Sequence, residues 1–503
     1  MKILGSIPVT ALLLVGFVAL VLGMMAGVAS AQSPSSATGE DGYWYNDTIE
    51  FDSSDGVSDE ELDALVSRGK ARVEYLRQRE FIGNVSVNIT QRESLTEDFS
   101  NTNGTNSNTT NQSNINNASE WNNQVWEALF IVGENKNITE EIQSTTAGAV
   151  GGFYSGNQIR VVTGGGSPEI SETTLIHELV HAMQDEYYNL SSERFDGEVQ
   201  DEQLAVRGLL EGEANYIQTR FRQECRTGWQ CFPGSRVSDG GGSNQSRINF
   251  GVFVVMFQPY SDGPAYIHSL VQRGGWDAVD EAFQNPPNTS ESIIHVTDEG
   301  RVNMTFNNTA RNGWQLYENQ GINGYDIAGE ASIYSTFWYQ SHPAGYGLGI
   351  INLKEFLSAE GEFDKYNYVS PPSDGWGNDR IYPYSKGDKR GYVWKTVWDT
   401  DEDAREFHRA YLRILEGHDA EKVGTGTWRI PDGDFADAFR VKRNGTTVTI
   451  VNAPTVDDLD DIRPNMDGSP NPTPGSGSGS VPSSTEKRLT SPTASLCISS
   501  HRF

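Results

Sequence analysis

The chain has 503 residues, and 68 acidic against 38 basic side chains give it a formal net charge of −30. This excess of acid argues against nucleic-acid binding, which needs a basic face, and against adsorption to anionic membranes. So large a charge keeps a protein soluble and is typical of halophilic proteins, so we expect high salt to favour folding.

The first 31 residues have the pattern of a secretory signal peptide. Lys2 precedes an apolar run over residues 7–28, which ends at the small residues 29–31. This order favours cleavage before Gln32 over an uncleaved anchor helix. We therefore expect a secreted or cell-surface protein without a stable membrane anchor. Asn-x-Ser/Thr sites such as Asn46 then predict glycosylation of exposed loops. The sequence does not indicate an oligomeric state.

Residues 32–120 form the predicted N-terminal region. Ser58 and Glu61 have the spacing of a capping box, and apolar residues at helical spacing predict a helix over residues 58–79. The alternating segment NVSVNIT, residues 84–90, predicts a strand. Residues 100–119 are rich in Asn, Ser and Thr with almost nothing apolar to bury, which predicts a disordered or glycosylated insertion.

Residues 121–455 carry the densest apolar pattern and are predicted to form the main folded domain. A strand is expected at residues 158–163, followed by one helix within residues 173–190 and another over residues 201–222. Thr400 and Asp403 fit the first turn of a later helix, and Asn444-Gly445 predicts a hairpin. Residues 456–503 are acidic and rich in Pro, Gly and Ser, which predicts a disordered tail.

Cys225 and Cys231 enclose the short loop CRTGWQC. Because an exported protein meets an oxidising environment, we expect these two cysteines to form a disulfide. Cys497, the third cysteine, lies in the predicted tail and has no assigned role.

The segment TTLIHELVHAMQDEYYNL, residues 173–190, suggests a metal site. On a helix His177 and His181 lie on the same face, about 6 Å apart, so both imidazoles can bind one zinc ion. Glu178 lies beside that metal rather than on it, within reach of a water proton. The alternative is a solvated amphipathic helix. The apolar flanks favour the metal, since buried histidines without a partner are costly.

Catalytic zinc usually has three protein ligands, so a third is expected from another element. The segment LLEGEANY offers Glu211 and Glu213 on the second predicted helix. Both carboxylates are flanked by small residues that permit close helix approach, and their spacing alone does not choose between them.

At these residues the chain resembles the gluzincin metallopeptidases, which carry HExxH on one helix and a glutamate ligand on a second. IHELVHAMQD is similar to the first motif, and LEGEANY is similar to the second in its aminopeptidase-like form. The resemblance implies Glu211 as the third zinc ligand and Glu178 as general base. It also implies a zincin-like α+β fold: a mostly helical catalytic domain with a small sheet beside the active-site cleft.

A wider resemblance, over residues 72–454, is to uncharacterised secreted HExxH proteins of bacteria and archaea. It includes GAVGGFYSGNQIRVV before the motif and GWGNDR after it. The segment SESIIHVTDEG departs from the form typical of that group, and the Asn-rich insertion is extra. Neither departure involves the three expected ligands.

A metallopeptidase also needs a group that stabilises the oxyanion of the tetrahedral intermediate. The candidates are His295, which would act as catalytic acid or oxyanion donor, Tyr216 and Tyr188. His295 follows an apolar pair and is equally compatible with a structural core histidine. Asp185, one turn beyond His181, could orient a ligand histidine or lie on the helix surface.

These residues together favour a secreted zinc metallopeptidase that hydrolyses peptide or protein substrates with Glu178 as general base. Two other classes stay open. One is a cell-surface binding or scaffold protein with a non-catalytic zinc site, and the other is a zinc hydrolase of a non-peptide bond. The substrate, the choice between endo- and exopeptidase action, and any pro-segment function of the N-terminal region cannot be read from the sequence.

Overall fold

A computed structural model describes residues 40–51, 57–91, 112–147, 150–163, 171–232, 248–359, 361–464 and 495–498. Within these ranges the chain is a mixed α+β protein with two β-sheets, which confirms the predicted α+β class. None of the helices in the described ranges combines the length and the apolar character needed to cross a membrane. The predicted signal peptide lies outside the described residues.

The α-helices of the described ranges are, in chain order, α1 (Asp59–Arg77), α2 (Gln112–Ala128), α3 (Ile138–Ala147), α4 (Glu172–Tyr188), α5 (Gln200–Thr227), α6 (Phe250–Gln284), α7 (Ser290–His295), α8 (Gly329–Ser341), α9 (Leu353–Phe356), α10 (Asp401–Gly417) and α11 (Val456–Ile462).

The strands form a four-stranded and a seven-stranded sheet. The first has the order β1-β3-β2-β11, with β1 (Ser86–Gln91), β2 (Val150–Ser155), β3 (Gln158–Thr163) and β11 (Ser495–Ile498). The second has the order β4-β5-β6-β10-β9-β8-β7, with β4 (Gln315–Leu316), β5 (Trp376–Lys386), β6 (Lys389–Trp398), β7 (Glu421–Gly424), β8 (Thr427–Arg429), β9 (Ala438–Asn444) and β10 (Thr447–Ala453).

Helix α1 holds the start of α4, the helix that carries HExxH. The predicted capping box is confirmed, because the Ser58 hydroxyl accepts from the Glu61 amide while the Glu61 carboxylate accepts from the Ser58 amide. Further along α1, Arg68 and Arg72 both donate to the carboxylate of Glu172, the first residue of α4, at 2.9 and 2.5 Å. All three side chains are fully buried, so this ion-paired group fixes α1 against the α4 N-terminus.

Helices α5 and α6 cross at glycines, close to Glu211. A Cβ on Gly212 would lie 2.6 Å from the Gly263 carbonyl oxygen, and one on Gly263 would lie 2.4 Å from the Gly208 carbonyl oxygen. Real Cβ atoms do not approach backbone this closely, so the crossing requires residues without side chains. The close approach expected from the small residues around Glu211 is present.

The seven-stranded sheet is antiparallel and packs against α2 and α10. The hairpin predicted at Asn444-Gly445 joins β9 to β10, with Asn444 paired to Thr447. Thr400 caps α10 in a capping box with Asp403, as the sequence indicated. The disulfide between Cys225 and Cys231 is confirmed and closes the loop at the end of α5.

The prediction of a disordered or glycosylated insertion over residues 100–119 is partly wrong. Helix α2 begins at Gln112, inside the predicted insertion; residues 100–111 lie outside the described residues. Because Val125 and Trp126 are buried in the core, the helix already has a nucleus, and each further residue adds a hydrogen bond at low cost. The helix therefore extends back through polar residues.

Two further predictions are wrong: the end of the folded domain at residue 455, and disorder throughout residues 456–503. Leu459 and Ile462 of α11 are buried, so the folded region continues past residue 455. The acidic residues that suggested a linker instead form the first turn of α11, where negative charge is favourable. Strand β11 lies further along the tail, and Cys497 pairs with Gly152 of β2.

Candidate metal centre

The two histidines of HExxH converge on the carboxylate that the resemblance selected. The Nε2 atoms of His177 and His181 lie 3.1 Å apart, and they lie 3.1 and 3.3 Å from Oε2 of Glu211. In a tetrahedral zinc site with bonds of about 2.0–2.1 Å, ligand atoms lie about 3.3–3.4 Å apart. The three measured separations are close to this value, so the three atoms could bind one metal ion. All three side chains are buried.

Gln184 fixes the tautomer of His181. Its amide nitrogen donates to the Leu210 carbonyl and to Glu213, both at 2.9 Å, so its oxygen faces Nδ1 of His181 at 2.9 Å. An amide oxygen only accepts hydrogen bonds, so Nδ1 carries a proton, and Nε2 is the nitrogen that faces the other two ligands and can bind a metal. This is the tautomer that binds zinc through Nε2.

Glu213, the other candidate for the third ligand, does not face the histidines but helps to position Gln184, which contacts His181. Its carboxylate accepts from Gln184 and from Arg77 of α1, and Arg77 also pairs with Asp280. The Glu213 charge is therefore balanced by a buried guanidinium rather than directed at the histidines. The chain Arg77–Glu213–Gln184–His181 connects α1, α5 and α4 and holds the imidazole in place.

The charges within the cluster fit a cation. Burial lowers the pKa of His177 to about 4, so its imidazole is neutral at pH 7, as a metal ligand must be. Burial also opposes a charge on His181, but the nearby Glu211 carboxylate outweighs it and raises the pKa of His181 to about 9. The two histidines in turn hold the pKa of Glu211 far below its usual range, although burial opposes this. A metal ion would replace the proton that His181 and Glu211 stabilise.

Glu178 lies between α4 and β2. Its carboxylate is buried, and its charge helps to raise the pKa of His181, so it lies close to the ligands without belonging to them. A Cβ on Gly152 of β2 would lie 3.2 Å from Oε1 of Glu178 and 2.9 Å from the Thr174 side chain. The absence of a side chain at residue 152 allows the four-stranded sheet to approach this carboxylate closely.

Lys365 is a functional candidate that sequence reasoning missed. Its positive charge contributes to lowering the pKa of His177, so it acts electrostatically on the cluster. The ammonium lies 3.4 Å from the Asn215 side-chain oxygen, and Asn215 donates to the backbone carbonyl of Glu211. Lys365 lies outside any helix or strand, in a segment with no motif, so nothing in the local pattern marks it.

The remaining predicted candidates have partners elsewhere. Nε2 of His295 lies 3.0 Å from both carboxylate oxygens of Glu330, and this ion pair raises the pKa of His295 to about 9 against the effect of burial. Tyr188 donates to Asp280, and the Tyr216 hydroxyl accepts from Arg220. Asp185 accepts from Tyr154 and from the Leu190 amide, so Gln184 rather than Asp185 orients the histidine. A catalytic role for His295 stays a prediction.

Comparison with known families gives one match. A family model described as a domain of unknown function, DUF8575, matches residues 315–463, which include α8 to α11 and the seven-stranded sheet. The matched region excludes α4 and α5 and therefore all three candidate ligands. No curated protein and no solved structure matches the chain.

Proposed function

We propose that the protein is a secreted zinc metallopeptidase of zincin-like fold. His177, His181 and Glu211 would bind the zinc, and Glu178 would act as general base. The observation that carries the proposal is the convergence of three buried ligand atoms from two helices at tetrahedral separations. The hydrogen bond from Gln184 supports it further, because it leaves Nε2 of His181, which faces the other two ligands, as the nitrogen available to a metal.

The number of ligands favours catalysis over a structural site. Among the described residues, three side chains that can bind a metal meet at this site: His177, His181 and Glu211. A structural zinc site is usually closed by four ligands, whereas a catalytic one keeps a position for water or substrate. The carboxylate of Glu178 beside the ligands has no function in a closed structural site but is required for hydrolysis.

The reaction follows from the placement of the side chains. Zinc bound at this centre would polarise a substrate carbonyl and lower the pKa of a water molecule to about 7. Glu178 accepts the proton of that water and passes it to the nitrogen of the leaving amine. Because Glu178 is buried, its protonated form is tolerated during this transfer.

Exchange of Glu178 for glutamine separates metal binding from catalysis. Glu178→Gln keeps the shape of the side chain, so zinc content stays at the wild-type level, but the amide cannot accept the water proton. We expect hydrolysis of a peptide substrate to fall by about 10²–10⁴-fold. Glu186→Gln, a partly exposed position on the same helix whose carboxylate accepts from the Ile82 and Gly83 amides, is the matched control and should match the wild-type rate.

Equal rates for Glu178→Gln and wild type would remove Glu178 as the base. A wild-type protein that contains zinc but cleaves no member of a broad peptide library would contradict the peptidase proposal. Assays with ester and non-peptide amide substrates then distinguish another hydrolase from a surface scaffold.

We further propose that Lys365 stabilises the oxyanion, since its ammonium contacts Asn215, which donates to the backbone carbonyl of Glu211, and its charge acts on His177. The exchange Lys365→Met removes the charge while keeping much of the aliphatic length. We expect kcat to fall by about 10²–10³-fold, as for the loss of one oxyanion donor, with a smaller change in KM. Lys354→Met, on α9, is the control. An unchanged kcat in Lys365→Met would exclude this function.

A further inference from the structure

A second cluster of acidic side chains lies far from HExxH in sequence. It consists of Glu127 at the end of α2, Glu134 in the following loop, and Asp437 immediately before β9. One carboxylate oxygen from each residue lies within 4.8 Å of the others. Glu127 and Asp437 are buried, whereas Glu134 is exposed, so the cluster is reachable from solvent on one side.

Among the residues that the structure describes, no basic side chain balances the charge of this cluster. Within the described ranges, no Lys, Arg or His forms an ion pair with Glu127, Glu134 or Asp437. The nearby Lys136 pairs with Asp434 instead, at 3.8 Å. Burial, together with the mutual repulsion of the carboxylates, raises the pKa of Glu127 and of Asp437 well above the usual value.

Two amide oxygens complete the set of possible ligands. Asn452, fully buried in β10, donates its amide nitrogen to Asp437 at 2.8 Å, while its oxygen Oδ1 has no partner within the described residues. Gln124, one turn before Glu127 and 4% exposed, donates to Glu127, and its oxygen Oε1 also lacks a partner there. A buried carbonyl oxygen without a donor is costly, and each of these amide groups already contacts one of the carboxylates.

We infer that Glu127, Glu134 and Asp437 bind a calcium ion, with the side-chain oxygens of Gln124 and Asn452 as further ligands. Every donor is an oxygen, and three carboxylates with two amides can supply the 6–8 ligands that Ca²⁺ takes in flexible geometry. In the structure the two amide nitrogens donate to the carboxylates. Rotation of each amide by half a turn would exchange its nitrogen and oxygen and direct the oxygen at a cation held between the carboxylates. Zinc is disfavoured because the cluster contains neither imidazole nor thiolate.

The location of the cluster gives the ion a structural function. Glu127 and Glu134 belong to the chain before HExxH, whereas Asp437 and Asn452 belong to the seven-stranded sheet. The two segments already touch, because the Glu134 amide donates to the Asp434 carbonyl at 3.0 Å. An ion bound here would fasten α2 and its following loop to the sheet. This inference does not depend on the proposed peptidase activity.

Thermal unfolding of the full chain tests the inference. After removal of metal with EGTA and exchange into chelator-free buffer, we expect the midpoint Tm at pH 8 to rise with the Ca²⁺ concentration, as mass action requires. Asp437→Asn should abolish this dependence. Asp434→Asn, which changes an exposed acid in the same loop, is the matched control and should keep it.

Terbium luminescence provides a second readout, which still applies where Asp437→Asn fails to fold. Tb³⁺ replaces Ca²⁺ in oxygen sites, and Tyr392, on which Glu127 and Asp437 act electrostatically, is a nearby sensitiser. We expect sensitised emission from wild type that Ca²⁺ displaces and that the surface exchange Glu134→Gln reduces. Absence of both the emission and the Ca²⁺-dependent Tm would overturn the inference, as would stabilisation by Mg²⁺ alone.

The competing explanation is a cluster that retains protons instead of a cation. An acid whose pKa is raised in the folded state stabilises the fold at pH below the unfolded value of about 4, and this stabilisation is lost as the pH rises through the folded value. Without metal, both explanations predict a Tm that falls from pH 5 to pH 8. Only a bound ion predicts that Ca²⁺ restores the Tm at pH 8; failure to do so identifies the protonated cluster.

Discussion

The HExxH cluster and the cluster around Asp437 differ in their donors and in the way their charge is balanced. The HExxH cluster combines two imidazoles with one carboxylate, and its histidines hold the pKa of Glu211 low. The cluster around Asp437 contains three carboxylates that no basic residue in the described part of the chain pairs with, and burial raises the pKa of Asp437. By geometry alone, either cluster could hold a cation. The chemistry of the donor atoms therefore has to decide which metal suits each cluster.

Donor chemistry assigns different metals and different tasks. Imidazole nitrogen is a preferred zinc ligand, whereas a set made only of oxygen suits calcium. The HExxH cluster also has a hydrogen-bonded support, the chain from Arg77 through Glu213 and Gln184, that orients a ligand. The Asp437 cluster has instead two amide oxygens without partners. The first arrangement is suited to holding a reactive centre rigidly, and the second to joining two segments.

The largest expected effect is that exchange of one ligand in either cluster removes the metal of that cluster and leaves the other metal bound. His177→Ala removes an imidazole ligand, so we expect zinc to be lost while the Ca²⁺-dependent Tm shift persists. Asp437→Asn should give the opposite result, with zinc retained and the Ca²⁺ response lost. Elemental analysis combined with thermal unfolding measures both quantities. Loss of both metals from either variant, in a protein that remains folded, would break the distinction between the clusters.

A smaller effect, on zinc affinity, is expected from exchange of Gln184, which orients His181 in the proposed zinc cluster. Gln184→Met keeps the size of the side chain but removes the acceptor for Nδ1 of His181. Loss of such a partner typically weakens metal binding by about 10–100-fold. Competition with a chromogenic zinc chelator gives the affinity.

The matched control is Gln218→Met, on α5, where the amide is also buried but donates to the Thr173 carbonyl. If the zinc affinities of the two variants are the same, the tautomer argument for His181 fails.

The smallest of these effects concerns the crossing of α5 and α6. Gly212→Ala places a methyl group 2.6 Å from the Gly263 carbonyl oxygen, so the helices must separate. Overpacking of this kind costs typically about 1–3 kcal/mol, measured by denaturant unfolding. Gly300→Ala is the control, because no atom lies within 4 Å of its added Cβ. Wild-type stability in Gly212→Ala would show that the crossing tolerates a side chain.

The proposed zinc cluster was largely predictable because its residues lie in short, local sequence patterns. His177 and His181 follow from helical spacing, and the helices and strands around them were placed to within a few residues. Glu211 required the resemblance, since spacing alone left Glu213 equally suitable. What separates them in the structure is Arg77, which lies on a helix about 130 residues earlier in the chain and neutralises Glu213.

The calcium cluster was not predictable, because its ligands come from four separate segments. Gln124 and Glu127 lie on α2, Glu134 in a loop, Asp437 before β9 and Asn452 on β10. None of these segments carries a motif, and only the folding of α2 against the sheet brings them together. The same long-range packing explains the errors at residues 112–119 and 456–462, where polar composition suggested disorder but buried anchors fix a helix.

The central claim is that Glu211, with His177 and His181, binds zinc, and the most direct test is the zinc content of two carboxylate variants. We predict about one zinc per chain in wild type, close to none in Glu211→Ala, and retained zinc in Glu213→Ala, although bound more weakly. Plasma mass spectrometry of the purified proteins after dialysis measures the three values. Full zinc content in Glu211→Ala would contradict the assignment, and loss restricted to Glu213→Ala would transfer the ligand function to that residue.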